Sequence, residues 1–385
     1  MTRANAVFAA CGTTIFETMS RLAQAHAAIN LGQGFPEGLE PAGVIAALAR
    51  AAAEGPHQYP SMMGVPALRR AVAGHENRFW NTDVEEAEVM VTSGATEALA
   101  ACLFALIEPG DEVVVIEPHY DSYLPIIRRA GGVPRLVRLH PPDWSLPRAA
   151  LARAFGPRTR LLLLNSPANP CGKVFDAEDL GFIADLLETH DCLALCDEVY
   201  EHLAYDGRPH IPLMSLPGMR GRCAKVGSAG KIFSLTGWKV GWVVAAPDLL
   251  APIAKAHQFL TFTTPPALQA AVAWGLEHEG DYMRALPATL ADRRDRLARG
   301  LAAVGFGPLP CQGSYFLSAD FSALGFAGDD RAFCRHLVES AGVAAIPVSA
   351  FFEGTAPDRH VRFCFAKTDQ AIDAALARLS ARFSG

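Results

Sequence analysis

Short runs of consecutive apolar residues recur between residues 88 and 226, and helical patterns separate them. The strand candidates are 89–91, 112–116, 161–164, 192–196 and 224–226, and all their residues are apolar except Glu112 and Lys225. A strand that is apolar on both faces is typical of a parallel sheet covered by helices on each side. The pattern therefore predicts an α/β fold with a mainly parallel sheet, in which ligand sites collect at the carboxyl ends of the strands.

Periodic apolar positions predict helices around these strands. One helix follows residue 15, and another is the alanine-rich stretch 41–53. A third begins at Pro66, a residue that suits the first helical position, and runs to Trp80. The run 89–91 is also followed by a helix, because apolar residues recur there three and four positions apart.

The pattern changes after about residue 275, where two long helices and a few alternating strands such as 360–365 predict a smaller α+β domain. A chain of 385 residues is also too long for one average domain. We therefore expect a large domain from residues 36–275 and a small domain from residues 1–35 and 276–385.

Composition and charge exclude several classes of function. Only 19% of the residues are charged, against roughly 25% in an average protein, so we expect a well-filled core. The net charge of −6 provides no basic field for nucleic acid, and no apolar run reaches the ~18 residues of a membrane span. The nine cysteines are scattered without the spacing of a redox or zinc motif, which predicts reduced thiols, a cytoplasmic protein and no metal site.

The first candidate for chemistry is Lys231, which lies in the glycine-rich stretch 225–242 among small, hydroxylic and aromatic residues. A free lysine costs about 4 to 5 kcal/mol to deprotonate at pH 7. A poorly solvated pocket lowers that cost, and a Schiff base with an aldehyde cofactor avoids a free ammonium there. A solvated lysine at the tip of a connection between two strands fits the stretch equally well, so both interpretations stay open at this point.

A carboxylate follows the apolar run 192–196, because Asp197 is the next residue. A carboxylate at the end of a buried strand needs a partner. A protonated pyridine nitrogen can be that partner and would make the ring an electron sink. A structural salt bridge or a helix cap is an equally good interpretation. Tyr200, three residues further on, can reach the same ligand or simply pack at the edge of the core.

Residues 93–96, Ser-Gly-Ala-Thr, lie where a predicted strand ends and a helix begins. Free N–H groups at a helix N-terminus bind phosphate, and Thr96 adds a hydroxyl group. Ser228 and Lys239 flank Lys231 at spacings that also suit an anion. A simple N-cap is the alternative for residues 93–96.

Three further residues have an ordinary and a functional interpretation. Asn169 is a turn asparagine before a proline, or a ligand contact. Arg362 is an exposed strand arginine, or it binds a carboxylate in bidentate fashion. Tyr120 packs, or it stacks on a flat ring. A phosphorylated pyridine aldehyde requires an amine, a counter-ion for the ring nitrogen, a phosphate cradle and a stacking aromatic ring, and Lys231, Asp197, residues 93–96 and Tyr120 can supply these four parts. Motifs for nucleotide binding, zinc proteolysis and esterase chemistry are absent.

Over nearly its whole length, from residues 30–36 to residues 361–365, the sequence resembles the class I pyridoxal-phosphate aminotransferases of fold type I. The most specific motifs are Ser228-Ala-Gly-Lys231 and the residues 236–242, Thr-Gly-Trp-Lys-Val-Gly-Trp. Within the family the sequence is most similar to the kynurenine, glutamine and methionine aminotransferases, and the succinyldiaminopimelate aminotransferases are also similar.

The resemblance implies a set of roles for the site residues. Lys231 would carry the cofactor covalently and then act as the base, with Asp197 on the pyridinium nitrogen and Tyr200 as the third catalytic residue. Asn169 and Tyr200 would bind the ring hydroxyl, and Tyr120 would stack on the ring. The phosphate would be held by Gly94, Ala95, Thr96, Ser228 and Lys239, together with Tyr59 of a neighbouring subunit in a homodimer. The substrate would be held by Gly34, Asn169, Arg362 and Phe16.

The resemblance also implies a ping-pong transfer of an amino group from an L-amino acid to a 2-oxo acid. No second arginine for a distal carboxylate is evident, and Phe16, Phe35 and Phe262 favour a substrate of apolar, aromatic, methionine or glutamine type. Lys239 and Tyr120 depart from the arginine and the tryptophan or phenylalanine of other members, which can shift affinity without removing cofactor binding.

Four alternatives remain in view. The β-elimination of cysteine conjugates begins with the same proton removal, and a succinyldiaminopimelate aminotransferase is the second enzymatic alternative. A transcription-regulator sensor would need a DNA-binding domain before Asn30, where we expect no room for one. A catalytically dead homologue would be expected to lack Lys231 or Asp197, and both are present.

Overall fold

The computed structural model describes residues 4–383, and this part of the chain forms three sheets surrounded by helices. The strands are β1 (Ile29–Asn30), β2 (Val89–Thr92), β3 (Glu112–Glu117), β4 (Val133–Arg138), β5 (Thr159–Asn165), β6 (Leu193–Asp197), β7 (Cys223–Ser228), β8 (Gly241–Ala245), β9 (Gly307–Pro308), β10 (Phe316–Asp320), β11 (Val343–Ala344), β12 (Ile346–Pro347) and β13 (His360–Cys364). The helices are α1 (Ala6–Ala10), α2 (Ile15–Ala25), α3 (Ala42–Glu54), α4 (Pro66–Trp80), α5 (Ala95–Leu106), α6 (Tyr123–Arg129), α7 (Arg148–Ala154), α8 (Ala177–Thr189), α9 (Ala229–Ile232), α10 (Pro247–Leu260), α11 (Pro266–His278), α12 (Gly280–Ala303), α13 (Asp330–Ala341) and α14 (Asp369–Phe383). None of these helices is long and apolar enough to cross a membrane.

Local sequence starts these helices in two ways. A proline is the first residue of α4, α10 and α11, where its fixed φ suits the helix and its missing N–H is not needed. The side chains of Thr14, Asp176 and Asp329 cap α2, α8 and α13 by accepting hydrogen bonds from backbone N–H groups of the first turn. The helices predicted over 41–53 and from Pro66 to Trp80 are confirmed as α3 and α4.

The largest sheet has seven strands in the order β2-β8-β7-β6-β5-β3-β4. From β7 to β4 the neighbouring strands are parallel, whereas β8 runs antiparallel to both β2 and β7. This confirms the predicted α/β fold with a mainly parallel sheet. The apolar runs predicted as strands are β2, β3, β5, β6 and β7, and the burial of β3 and β7 is continuous along the strand.

The sequence predicts neither β4 nor β8. The strand β4 lies at the edge of the sheet, and charged residues such as Arg135 and Arg138 interrupt its apolar pattern. The strand β8 begins at Gly241 and continues the glycine-rich stretch without a break. A Cβ atom on Gly241 would stand 2.8 Å from the carbonyl carbon of Gly94, so only glycine lets β8 approach the start of α5 this closely.

The core lies on both faces of this sheet. Leu161 and Leu163 of β5 pack into one buried apolar cluster, and Leu162 and Leu164 pack into the other. Successive side chains of a strand point to opposite faces, and this explains why the run is apolar at every position. The ligand site is therefore confined to the strand ends, where the sheet is not covered by helices.

The segment after residue 275 contains a four-stranded antiparallel sheet in the order β12-β13-β10-β9. Three helices, α12, α13 and α14, accompany it, one more than the two long helices that the sequence predicts. The N-terminal segment joins this region, because Ile29 of β1 pairs in parallel with Val343 of β11. The division into a large and a small domain stays a prediction, and its ends at residues 1–3 and 384–385 lie outside the described residues.

A buried ion network fixes the loop that follows β6. The ammonium of Lys225, which is fully buried in β7, lies 2.7 Å from both carboxylate oxygens of Glu76 in α4 and 2.5 Å from Glu201. The carboxylate of Glu198 is 3.8 Å away and also contacts His210 at 2.9 Å. Burial disfavours the ammonium, but the three carboxylates outweigh burial and raise the pKa of Lys225.

We expect Lys225→Met to lower the free energy of unfolding by about 3–5 kcal/mol, because Glu76 and Glu201 would stay buried without their cation. Denaturant unfolding of the purified protein measures this change. Adding Glu201→Gln to Lys225→Met should recover part of the loss, since one of the unpaired charges is then removed.

The matched control for this experiment is Arg284→Met, which removes an exposed ion pair with Asp281. A change within about 0.5 kcal/mol is expected there. If Lys225→Met costs no more than Arg284→Met, the network does not hold the loop.

Candidate active site

A pocket of about 420 Å³ lies where β6 and β7 end and α5 begins. Asp197 and Ser228 are the last residues of their strands, and Lys231 lies in α9, directly after β7. Every predicted site residue except Tyr59 and Phe262 lines this pocket: Phe16, Gly34, Phe35, Gly94, Ala95, Thr96, Tyr120, Asn169, Asp197, Tyr200, Ser228, Lys231, Lys239 and Arg362. The fold therefore brings together residues that are more than 340 positions apart in the sequence.

Lys231 is half-buried and lines the pocket. Its Nζ atom donates a hydrogen bond of 3.0 Å to the hydroxyl of Tyr315. Burial lowers the pKa of Lys231 to about 8, although the nearby carboxylate of Asp197 opposes this shift. The interpretation of Lys231 as a solvated lysine at the tip of a turn is therefore wrong, and a large fraction of this amine is neutral near pH 8.

Asp197 is buried and only half satisfied. Its Oδ2 atom accepts a hydrogen bond of 2.5 Å from the hydroxyl of Tyr123, whereas its Oδ1 atom has no partner. Burial raises the pKa of this carboxyl to about 6, against the bonds from Tyr123 and the Val199 backbone. Buried polar atoms rarely stay unpaired, so the free oxygen indicates a ligand with an N–H donor, and a protonated pyridine nitrogen fits that requirement.

The start of α5 is an anion cradle without a side-chain cap. Gly94 is the N-cap residue with φ 80°, and a Cβ atom there would stand 3.2 Å from the Lys239 side chain. The hydroxyl of Ser93 contacts Thr264 at 3.2 Å instead of capping the helix. The free N–H groups of α5, the hydroxyl groups of Thr96 and Ser228 and the ammonium of Lys239 fit a phosphate group.

Arg362 is 1% exposed, so the interpretation as an exposed strand arginine is wrong. Its Nη1 atom donates to Oδ1 of Asn169 at 2.8 Å, and its Nη2 atom donates to the carbonyl of Gly32 at 2.7 Å. The buried Nε atom has no partner. Burial lowers the pKa of Arg362 to about 10. The guanidinium thus stays charged at neutral pH with donors to spare, as a bound carboxylate requires.

Aromatic rings enclose this guanidinium. The Arg362 carbon Cζ lies 3.8 Å from the ring centre of Phe316, 5.0 Å from that of Phe351 and 5.3 Å from that of Phe16. Such rings attract the cation and exclude water from its neighbourhood. Phe35, which is 56% exposed, lines the pocket as the sequence predicts.

Tyr59 and Phe262 lie outside the pocket. The Tyr59 side chain is 82% exposed, and its ring packs edge-on against Phe262 at 5.6 Å. The prediction that Phe262 lines the side-chain pocket was therefore wrong for the single chain. The nearby Phe259 is 83% exposed, so aromatic surface is concentrated in this part of the molecule.

Sequence reasoning missed the two tyrosines that contact the central groups, Tyr123 on Asp197 and Tyr315 on Lys231. The only available signal for Tyr123 was its position three residues after Tyr120, one helical turn away. Tyr315 precedes β10, and nothing in its local sequence connects it with Lys231. The contact between Tyr315 and Lys231 can be recognised only in the folded structure, where β10 lies beside the loop after β6.

Buried histidines and glutamates beside the pocket have ligand-like spacing. Their ligand atoms lie within 4.8 Å of one another in two groups: His75, Glu201 and His202, and Glu198, Glu201 and His210. The ammonium of Lys225 lies among these carboxylates. A cation of the protein itself therefore occupies the place that a metal ion would need.

The chain matches known proteins along almost its whole length. The family model described as "Aminotransferase class I and II" matches residues 27–379. The probable N-succinyldiaminopimelate aminotransferase DapC of Mycobacterium tuberculosis is 43% identical over 380 residues, which are 96% of each chain. The methionine aminotransferase of Escherichia coli is 41% identical over 369 residues, 96% of this chain and 95% of the other.

Solved structures give the same result. The structure of N-succinyldiaminopimelate aminotransferase from Mycobacterium tuberculosis has a TM-score of 0.96 at 42% identity, and the match covers 98% of this chain and 100% of the other. The structure of YbdL from Escherichia coli, a protein with a methionine aminotransferase function, also has a TM-score of 0.96, at 39% identity, with 99% and 100% coverage.

The half-satisfied carboxylate leads to a testable prediction. Asp197 has a raised pKa, so its ionisation destabilises the cofactor-free protein as pH rises from about 4 to about 6, and the loss persists at higher pH. We expect Asp197→Asn to raise the free energy of unfolding by about 1–3 kcal/mol at pH 8, and to weaken the binding of pyridoxal phosphate. The gain in stability should shrink as pH falls through 6.

Unfolding of the cofactor-free protein between pH 5 and pH 8 measures the change in stability, and a spectroscopic titration with pyridoxal phosphate measures the change in affinity. Asp281→Asn serves as the control, because that side chain is fully exposed. A less stable Asp197→Asn protein at pH 8 would contradict the assignment of a strained carboxylate.

Proposed function

Because the chain belongs to the class I and II aminotransferases, an enzyme family that uses pyridoxal phosphate, we propose that it transfers the amino group of an apolar, aromatic, methionine- or glutamine-type L-amino acid to a 2-oxo acid. One observation carries this proposal: a single pocket contains an amine with a lowered pKa, Lys231, and a buried carboxylate oxygen without a partner, on Asp197. The transfer would consist of two half-reactions, one with the amino acid and one with the 2-oxo acid. Lys231 would hold the cofactor before and after each of them.

When bound, pyridoxal phosphate supplies an aldehyde that bonds to amines and a pyridinium ring that accepts an electron pair. Lys231 would hold the aldehyde carbon at rest. As a free amine, Lys231 would be the base that takes a proton from the substrate α-carbon. The lowered pKa suits this task, because about half of the amine is neutral at pH 8.

Asp197, Tyr200 and Asn169 would hold the ring in its reactive state. The oxygen of Asp197 that has no partner would accept a hydrogen bond from the ring nitrogen and would keep that nitrogen protonated. The bond from Tyr123 to the other oxygen orients the carboxylate. Tyr200 and Asn169 would supply the hydrogen bonds to the ring hydroxyl, and Tyr120 would support the ring face.

The phosphate would lie at the start of α5, where Gly94 and Ala95 contribute backbone N–H groups. Thr96 and Ser228 offer hydroxyl groups, and Lys239 contributes the positive charge. Lys239 has an exposed side chain and a left-handed backbone with φ 54°. A point charge at this position binds phosphate without the fixed geometry of an arginine.

Arg362 would bind the α-carboxylate of the substrate, with the Gly34 backbone as its neighbour. The only other cations that line the pocket, among the described residues, are Lys231 and Lys239, and both are committed to the cofactor. A second carboxylate on the substrate would thus lack a partner from the same chain. This shortage and the rings of Phe16, Phe35 and Phe316 support an apolar, aromatic or thioether side chain.

A second candidate substrate is N-succinyldiaminopimelate-type, and the 43% identity to the probable DapC of Mycobacterium tuberculosis favours it. Such a substrate carries distal carboxylates. It would need cations from a neighbouring subunit, since the described residues that line the pocket offer none to spare.

The proposal includes a homodimer that acts in the cytoplasm. The exposed rings of Tyr59, Phe259 and Phe262 form a surface that a second subunit can cover. In that arrangement Tyr59 would reach the phosphate of the neighbouring subunit. All nine cysteines of the chain are free thiols, which supports a reducing compartment.

For the substrate we expect kcat/KM for methionine, phenylalanine or kynurenine to exceed that for aspartate by at least about tenfold, because an unpaired buried carboxylate costs more than about 1.4 kcal/mol. Coupled assays with several 2-oxo acids as acceptors measure these ratios. Lys231→Ala is the control, and it should abolish both activity and the reducible attachment of the cofactor. A preference for aspartate or for N-succinyldiaminopimelate would contradict the proposed substrate class.

For the dimer we expect Tyr59→Phe to weaken the binding of pyridoxal phosphate about three- to tenfold, the effect of one lost hydrogen bond. Tyr59 lies outside the pocket of its own chain, so any such effect requires a second subunit. Titration with the cofactor measures the affinity, and light scattering measures the mass. The matched control is Tyr282→Phe, another loss of a hydroxyl group outside the pocket. An active monomer, or an unchanged affinity, would exclude the proposed role of Tyr59.

A further inference from the structure

Tyr315 is the one residue whose side-chain hydroxyl bonds directly to Lys231 in the hydrogen-bond pattern of the described residues. Its side chain is buried, with 1% of its surface exposed. The ring is fixed edge-on against Tyr200 at 5.1 Å and against Phe316 at 4.7 Å. The hydroxyl group is therefore held in one place, 3.0 Å from Nζ of Lys231 and 3.0 Å from the carbonyl oxygen of Gly34.

The direction of these two hydrogen bonds follows from the groups involved. A carbonyl oxygen can only accept, so the single proton of the Tyr315 hydroxyl is donated to Gly34. The hydroxyl oxygen then faces Lys231 as an acceptor, and Lys231 must donate one of its N–H groups. Burial raises the pKa of Tyr315, so this hydroxyl keeps its proton at every pH at which the enzyme works.

We propose that Tyr315 is a positioning residue for the base, and that it holds one N–H group of the free Lys231 amine so that the lone pair stays available for the substrate proton. The inference rests on the proposed role of Lys231. Without such an acceptor the long lysine side chain can rotate. The amine then samples many orientations, and in few of them does its lone pair point at the α-carbon of the substrate.

The contact also suits the step itself. When the α-carbon loses its proton, the C–H bond breaks, its electron pair stays with the substrate, and a new N–H bond forms on Lys231. The resulting ammonium still donates to Tyr315, because the hydroxyl oxygen accepts from either protonation state. Lys231 can thus take up and return the proton without any rearrangement of its contact with Tyr315.

Tyr315→Phe tests the proposal by removing one oxygen atom while the ring that packs on Tyr200 is kept. We expect kcat to fall about 10- to 100-fold, with KM for the amino acid changed by less than about threefold. The deuterium isotope effect on kcat, measured with an α-deuterated amino acid, should rise, because proton removal becomes slower than the other steps.

A second measurement uses the cofactor-free protein and does not depend on turnover. The rate at which an acylating reagent labels Lys231, followed by mass spectrometry of the peptide, gives the pKa of the amine. Loss of an acceptor destabilises the ammonium, so the labelling midpoint of Tyr315→Phe should move to lower pH by about half a pH unit to one pH unit.

The matched control is Tyr282→Phe, since the Tyr282 hydroxyl contacts Ser234 at 3.3 Å and does not line the pocket. A wild-type isotope effect and labelling midpoint in Tyr315→Phe would overturn the inference, as would parallel losses of activity and stability in both variants. A wild-type protein that transfers no amino group would instead refute the proposed function, so the two failures are distinguishable.

Discussion

The partly unpaired carboxylate of Asp197 is the constraint around which the site is built. Its burial disfavours ionisation, so the protein must supply compensating donors and a rigid frame. Tyr123 and the backbone of Val199 supply the donors. The frame is the loop after β6, which the ion network of Lys225 ties to α4 and to β7. The buried ion network of Lys225 thus lies directly behind the half-satisfied carboxylate of Asp197, and it holds the loop on which that carboxylate depends.

Two lysines of the same strand–helix unit show how environment decides the chemistry of a side chain. Lys225 and Lys231 are six residues apart and both are surrounded by protein. Three carboxylates outweigh burial and raise the pKa of Lys225. Burial lowers the pKa of Lys231, and the single carboxylate of Asp197 does not outweigh it. Lys225 therefore stays protonated and stabilises the fold. Lys231 exchanges a proton near neutral pH and is suited to catalysis.

Much of the fold and the pocket could be predicted, because both depend on local pattern. Continuous apolar runs identify the inner strands, and strand ends identify Asp197 and the cradle at Gly94. The family resemblance, rather than spacing, identified Arg362 and Phe16 as pocket residues. The edge strand β4 could not be predicted, because it is partly exposed and charged residues interrupt its apolar pattern. The contact between Tyr315 and Lys231 joins residues 84 positions apart, and the contact between Lys225 and Glu76 joins residues 149 positions apart. Neither contact could be predicted, because no local pattern encodes such distances.

The pairing of the N-terminal segment with the end of the chain has a consequence for biosynthesis. Leu31 donates its N–H to Ala344 and accepts from the N–H of Cys364, so its native neighbours are synthesised more than 300 residues after it. At 5–20 residues per second, this segment waits roughly 15 to 70 s for them. The loop that contains Gly34 can therefore take its final place only after the sheet behind it exists. Nascent chains therefore pass through a stage in which Lys231 and Asp197 have been synthesised but the strands that place the substrate side of the pocket have not.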